Sequence, residues 1–263
     1  GLPGDIEALS QALAGANGLD WEADVLAPVG TRVNQDRLQQ QLNRMPGRER
    51  IRLRVVANDG DRKRFLEGLS SSGANVVCLV SVALSRCPEG WLRELVNLAA
   101  QPQFGAVAPR LAGTFGIQCH GGLVFPTPDH AAHAFSGMPP GAHPQGRSSA
   151  LQQGFAAVSP AVYAVRRELW GSYPAAASMF DSTWAQVEAM LQWRAHGLIN
   201  LWTPFVTLST KERFSAGPVN LCEQLDAGQR TRWREIWERD LRGNGYNPNL
   251  SVEGDFQLAV RSG

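Results

Sequence analysis

The chain has 263 residues, of which 43% are hydrophobic and 19% are charged, so it can form one large globular domain or one domain with an appendage. Its formal net charge of +1 gives no electrostatic reason to expect binding to nucleic acid or to an anionic membrane. No apolar run reaches the roughly 18 residues that a transmembrane helix needs. The four cysteines show no CxxC spacing, which argues against a structural zinc site and favours a reducing compartment. A start without methionine or signal-like segment suggests a domain cut from a longer protein.

Apolar runs of strand length alternate with amphipathic segments of helical length. The pattern predicts a leading helix at 5–14 and strands at 24–30, 51–59, 76–85 and 104–111. Between these strands it predicts helices at 33–45, 62–73 and 90–101. Two helices at 161–171 and 182–196 and a strand at 199–209 follow. This alternation is typical of βαβ units and predicts an α/β fold with a largely parallel sheet.

The ends of the first three predicted strands mark the expected ligand site. In open α/β sheets, ligands bind outside the carboxyl ends of the parallel strands. Here these ends read "APVGT", "ANDGD" and "VSVALS". Asn58 and Asp59 in the second of them could hydrogen-bond to a base or a ribose, although the same residues are also typical of an ordinary turn.

Five stretches, in order and at a consistent spacing, carry a family resemblance. They read "GAVAPRLAGTFGIQCHGG" at 105–122, "HAFSGMPP" at 133–140, "AAVSPAVYAVRRELW" at 156–170, "LWTPFVTLSTKE" at 201–212 and "YNPNLSVEGDFQLA" at 246–259. Together they resemble the family 2 glycosyltransferases of the GT-A fold, of the bacterial surface-polysaccharide type. The resemblance implies a Rossmann-like, mostly parallel sheet flanked by helices. It implies a leading helix or linker over 1–20, the glycosyltransferase-like domain over 21–215 and a C-terminal helical or irregular extension packed on it over 216–263.

The resemblance also implies acidic residues that this sequence lacks at the end of the third strand. Active members of the family carry an Asp-x-Asp motif there, which holds a divalent metal against the donor diphosphate. The matching residues are Val80, Ser81, Val82 and Ala83, and only Ser81 could contact a phosphate oxygen. We therefore expect no metal cofactor, with Mg²⁺ or Mn²⁺ required only if the chain is an active transferase. The implied nucleotide contacts are Pro28, Asn58, Asp59 and Ser81.

A second acidic motif is altered in the acceptor half. Where active members have Glu-Asp-x-Asp, this chain has the segment Ala185–Glu188, with Gln186 at the position of the general base. Glu188 is the remaining carboxylate and the candidate catalytic residue. Trp184, Gln186 and Lys211 are the implied acceptor or glycan contacts.

These losses favour a degenerate, catalytically inactive glycosyltransferase-like domain in bacterial surface-glycan assembly. It would bind a nucleotide, a glycan or a partner domain, including other glycosyltransferase domains of a longer chain or complex. The alternative is an active, metal-independent inverting transferase that moves a sugar from a nucleotide-sugar to a glycan. Either role predicts a cytoplasmic protein, which could lie peripherally at the inner face of the membrane, with no nucleic-acid partner.

Two further groups of residues leave alternatives open. His120 is expected to be a loop or core histidine, with a catalytic base as the less favoured interpretation. His130 and His133, with Asp129 beside them, are expected to lie in a loop, with a metal site as the less favoured interpretation. Trp233 and Trp237 are four residues apart and share one helix face. They are expected to dock this helix on the domain, and the alternative is a surface for a partner.

Overall fold

The computed structural model describes residues 19–28, 51–56, 64–66, 68–81, 84–127, 130–141, 148–172, 182–210, 219–220 and 225–241, with the single residues Leu13, Gln40 and Asn43. The strands in these ranges are β1 Ala23–Pro28, β2 Ile51–Val56, β3 Val76–Val80, β4 Leu84–Arg86, β5 Phe104–Ala112, β6 Gln118–His120, β7 Gly122–Thr127, β8 His130–His133, β9 Gln153–Phe155, β10 Ala157–Val158, β11 Val162–Arg166, β12 Ile199–Thr210 and β13 Val219–Asn220. The helices are α1 Trp91–Ala99, α2 Arg167–Ser172, α3 Ser182–Ala195 and α4 Ala227–Leu241. No helix in the described ranges is long and apolar enough to cross a membrane.

The main sheet is mixed and largely antiparallel. Its strand order is β3-β11-β5-β12-β4, with β6 paired to β5 and β9 paired to β12. Within this sheet only β5 and β12 run parallel, and every other described pair is antiparallel. Strands β1 and β2 form a separate parallel pair. The predicted mostly parallel, Rossmann-like GT-A sheet is therefore wrong, and the fold is mixed α/β.

Strand β11 accounts for much of this error. Residues 161–171 were predicted to be one helix, but only Arg167–Ser172 is helical. The preceding residues Val162–Arg166 form β11, which lies antiparallel between β3 and β5. Val162, Tyr163 and Val165 are β-branched or aromatic, and such side chains fit a sheet that is buried on both faces.

A second, antiparallel sheet lies against the main one and was not predicted. Its strand order is β10-β7-β8-β13, and its strands are short. Strands β7 and β8 form a tight hairpin that pairs Leu123 with His133. The helix α4 packs on β7, since the ring of Trp233 stacks 6.5 Å from that of Phe125.

The main sheet has an apolar core on each face, because successive side chains of a strand point to opposite sides. On β5, Ala106 and Ala108 belong to the core that includes α3, α4 and the second sheet. Val107 and Leu111 belong to the other core, which is built around α1. The β5 sequence is therefore almost continuously apolar rather than alternating.

One buried polar residue joins several of these elements. Asn200, at the start of β12, is fully buried. Its Oδ1 accepts a hydrogen bond from the backbone N–H of Ala106 (3.1 Å), and its Nδ2 donates to the carbonyls of Ala156 and Met190 (both 2.8 Å). A side chain at Gly105 would bring its Cβ to 2.7 Å from Asn200 Oδ1. Glycine at this position therefore makes room for the amide.

Candidate functional site

Several stretches that carry the family resemblance meet at one end of β5. The backbone N–H of Gln118 donates to the carbonyl of Met138, and that of Gly137 donates to the carbonyl of Gln118 (both 2.9 Å). The N–H of Ser159 donates to the carbonyl of Gly121 (3.2 Å). These bonds bring the segments 118–122, 133–140 and 156–170 together.

Ser81 connects the end of β3 to the same place. Its backbone N–H donates to the carbonyl of Ala161 (2.8 Å). Its Oγ lies 3.2 Å from the carbonyl oxygens of both Pro160 and Ala161, so the hydroxyl hydrogen points at these two acceptors. The neighbouring Val80 is 40% exposed. Val80 and Ser81 occupy two of the four positions that match the Asp-x-Asp motif, and neither has a carboxylate. The other two positions, Val82 and Ala83, lie outside the described residues.

Two histidines and a serine form the polar centre of this site. His120 Nδ1 lies 3.2 Å from His133 Nε2 and 3.2 Å from Ser159 Oγ. Because Ser159 Oγ already accepts the N–H of Ala161 (3.2 Å), its own hydrogen is available to His120. The His120–His133 contact joins one ring nitrogen that donates to one that accepts, so the two rings hold complementary tautomers. The two rings meet edge to face, with centroids 4.5 Å apart.

Burial holds His133 in its neutral form. Burial lowers the pKa of His133 from 6.5 to about 3, the charge of His120 lowers it further, and a hydrogen bond to the Gly121 backbone acts in the opposite direction. His133 is therefore a neutral, hydrogen-bonded joint between β6 and β8 rather than a ready general base.

We expect acid to destabilise the protein through this joint. Since the folded-state pKa of His133 is about 3 and its ordinary value is 6.5, the unfolded chain binds a proton below pH 6.5 that the folded chain rejects. This contribution to stability is complete above pH 6.5 and falls by up to about 1.4 kcal/mol per pH unit as the pH decreases. Urea unfolding of the wild type and of His133→Gln, from about pH 7.5 to about pH 4.5, measures it. The wild type should lose more stability than the variant, and parallel curves would contradict the assignment.

The predicted acceptor residues lie elsewhere, on α3. Trp184, Gln186 and Glu188 are buried, with exposed fractions of 2%, 3% and 4%. The ring of Trp184 meets that of Trp233 edge to face at 5.4 Å. Gln186 and Glu188 both have interaction partners within the chain. Trp184 thus contributes to the packing of α4, and roles for these three residues in binding or catalysis stay predictions.

The remaining predicted residues are only partly described. Pro28 is the last residue of β1, and its side chain lies outside the described part, as do Asn58, Asp59 and Lys211. The structure thus connects Ser81, through Ala161, to Ser159, which the sequence analysis did not single out.

The described residues contain no group of three or more His, Cys, Asp or Glu side chains that could hold a metal ion. Cys78, Cys87 and Cys119 are free thiols. Burial raises the pKa of Cys78 to about 12 and that of Cys87 to about 11, so both stay protonated. Cys78 therefore behaves as a small apolar residue of β3.

Comparison with known proteins leaves the family open. No protein-family model matches the chain. Among curated proteins, it is similar to the uncharacterized protein y4gI of Sinorhizobium fredii (strain NBRC 101917 / NGR234), with 28% identity over 200 residues. The match covers 73% of this chain and 22% of that relative, so the chain spans about a fifth of the relative's length.

Proposed function

We propose that this chain is a family 2 glycosyltransferase-like domain that has lost metal-dependent sugar transfer. It acts in the cytoplasm, in the assembly of a bacterial surface glycan, by binding a nucleotide-sugar or a glycan. The observation that carries the proposal is the geometry of Ser81. Its hydroxyl is committed to the carbonyls of Pro160 and Ala161 at the position where the resemblance expects a metal-binding carboxylate.

The convergence of the resembling stretches supports the same proposal. Residues 118–122, 133–140 and 156–170 are hydrogen-bonded to one another, and β12, which carries most of the fourth stretch, lies beside β5. The support comes from the motifs and their positions and does not require a parallel sheet.

A second candidate is an active, metal-independent transferase. It is favoured by Glu188, which keeps a carboxylate at the end of the altered acidic motif and is buried on α3. In this case Glu188 would deprotonate the acceptor hydroxyl.

Calorimetric titration with UDP, GDP and dTDP, each with and without Mn²⁺, tests the proposal. A preserved donor pocket should bind one of them with a dissociation constant in the micromolar range, or about −8 kcal/mol. The affinity should not depend on Mn²⁺, because the carboxylates that would hold the metal are missing. Incubation with nucleotide-sugars and glycan acceptors should release no nucleoside diphosphate.

Different results would favour the alternatives. Release of nucleoside diphosphate that Glu188→Gln abolishes, while Glu89→Gln at an exposed site leaves it unchanged, would establish the active transferase. Circular dichroism must show that the Glu188 variant is folded, because this residue is buried. Binding that requires Mn²⁺ would contradict the proposed loss of the metal site. Absence of binding to every nucleotide and glycan would contradict the proposed role and leave a partner domain as the remaining ligand.

A further inference from the structure

Arg110, near the end of β5, is a half-buried cation with no acidic partner among the described residues. Its guanidinium lies over the ring of Trp202, 5.5 Å from the centroid, and Nη2 donates to the carbonyl of Ser149. No carboxylate in the described part of the chain forms an ion pair with Arg110, and no described residue accepts a hydrogen bond from its Nη1. Its Nε is buried and has no acceptor within the same ranges.

A bulge in β12, adjacent to Arg110 in the strand register, carries an exposed aromatic side chain. The pairing of β12 with β5 passes from Thr203–Pro109 directly to Thr207–Arg110, so the three residues 204–206 have no counterpart on β5. Within the bulge, Val206 is buried, whereas Phe205 is 66% exposed. The Arg110 guanidinium is half-buried and its Nε lacks an acceptor, so a bound anion could supply the hydrogen bonds that the described residues do not.

The neighbouring segment 148–152 contributes a second exposed apolar side chain. It is tied to Arg110 through the Ser149 carbonyl and to the bulge through a hydrogen bond from Gln152 Nε2 to Thr203 Oγ1 (3.3 Å). Between these two anchors lies Leu151, which is 60% exposed. The anchors hold Leu151 close to both the cation and the bulge.

We propose that Arg110, Phe205 and Leu151 form a binding site for an anionic ring compound. The guanidinium binds a phosphate or carboxylate group, and Phe205 and Leu151 contact the apolar face of the attached ring. Arginine suits this role, since its planar donors match an oxyanion and it stays charged when it is partly desolvated. Burial also lowers the pKa of Arg110 without removing its charge. This site specifies where the ligand of the proposed function binds, so the inference rests on that proposed function.

Two ligand sources share this chemistry, a nucleoside diphosphate and an acidic sugar. Calorimetric titration with UDP and with trigalacturonate separates them, and uridine and maltotriose serve as the uncharged counterparts. The probe that belongs to the site should bind, its uncharged counterpart should bind at least about tenfold more weakly, and added NaCl should reduce the affinity. Arg110→Gln should weaken binding about tenfold to a hundredfold, because a charge-assisted hydrogen bond is lost.

Matched variants complete the test. Arg93→Gln makes the same charge change on the exposed side of α1 and should leave binding unchanged. Phe205→Ala should weaken binding about two- to tenfold, whereas Phe205→Tyr, which keeps the ring, should not. Phe205 is exposed, so its variants test the site even if Arg110→Gln disturbs the packing on Trp202.

Three results would overturn the inference. If an anionic ligand binds the wild type and binds Arg110→Gln equally well, the proposed binding function stands and the proposed site is wrong. If Phe205→Ala and Arg93→Gln have the same effect, the ring contact is wrong. If neither UDP nor trigalacturonate binds the wild type, the site is wrong for both sources, and the outcome of the GDP, dTDP and neutral-glycan titrations then decides the proposed function separately.

Discussion

Replacement of Asn200 by alanine is expected to lower the free energy of unfolding by about 3–5 kcal/mol. The substitution removes three hydrogen bonds at once and leaves the N–H of Ala106 and the carbonyls of Ala156 and Met190 without their partner. Each buried polar group left unsatisfied costs about 1–3 kcal/mol. Water cannot replace the amide easily, since Asn200 is fully buried.

Urea unfolding followed by circular dichroism measures this effect, and Asn97→Ala is its control. Asn97 lies on the exposed side of α1, and its replacement should change stability by no more than about 0.5 kcal/mol. Gly105→Ala provides a second probe, because the added Cβ would clash with Asn200 Oδ1. It should cost about 1–3 kcal/mol in the wild type and less in the Asn200→Ala background. Equal costs in both backgrounds would contradict the proposed contact.

Replacement of Trp233 by alanine is expected to cost about 3–5 kcal/mol. The side chain is 1% exposed and contacts the rings of Phe125, Trp184 and Trp237. Its loss leaves a cavity where α4 meets α3 and the second sheet. This packing confirms the prediction that Trp233 and Trp237 dock their helix on the domain.

The unfolding midpoint and the near-ultraviolet circular dichroism of Trp233→Ala measure the loss. Trp233→Phe keeps an aromatic ring and should cost clearly less than the alanine variant. Arg232→Ala changes an exposed residue of the same helix and controls for helix propensity. If Trp233→Ala keeps full stability, the contribution assigned to this packing is wrong.

The long, strongly periodic elements were predictable from the sequence. The helices predicted at 90–101 and 182–196 correspond to Trp91–Ala99 and Ser182–Ala195, and the strand at 199–209 to Ile199–Thr210. Strand direction was not predictable in this way. A short apolar run such as Val162–Val165 is compatible with a helix and with a buried strand. It forms a strand here because it pairs with β3 on one side and β5 on the other.

The site was predictable in part. Ser81 was identified as the residue that replaces an acid, but its partner Ala161 lies 80 positions away, beyond any local pattern. His120 and His133 are 13 positions apart in a stretch that read as a loop. Their contact depends on the β7–β8 hairpin, whose strands are too short and too irregular to give a clear alternation of apolar and polar residues.

The position of β11 also fixes when the sheet can form. This strand is the neighbour that joins β3 to β5, and the residue before it, Ala161, accepts a hydrogen bond from the N–H of Ser81 across 80 positions of sequence. A ribosome-bound chain that ends before Val162 has both β3 and β5 but nothing to place between them, so their open edges are available for wrong pairing. Pairings between residues so distant in sequence are slow to form. A nascent chain of this protein should therefore depend on chaperone protection until the segment around Arg166 has emerged.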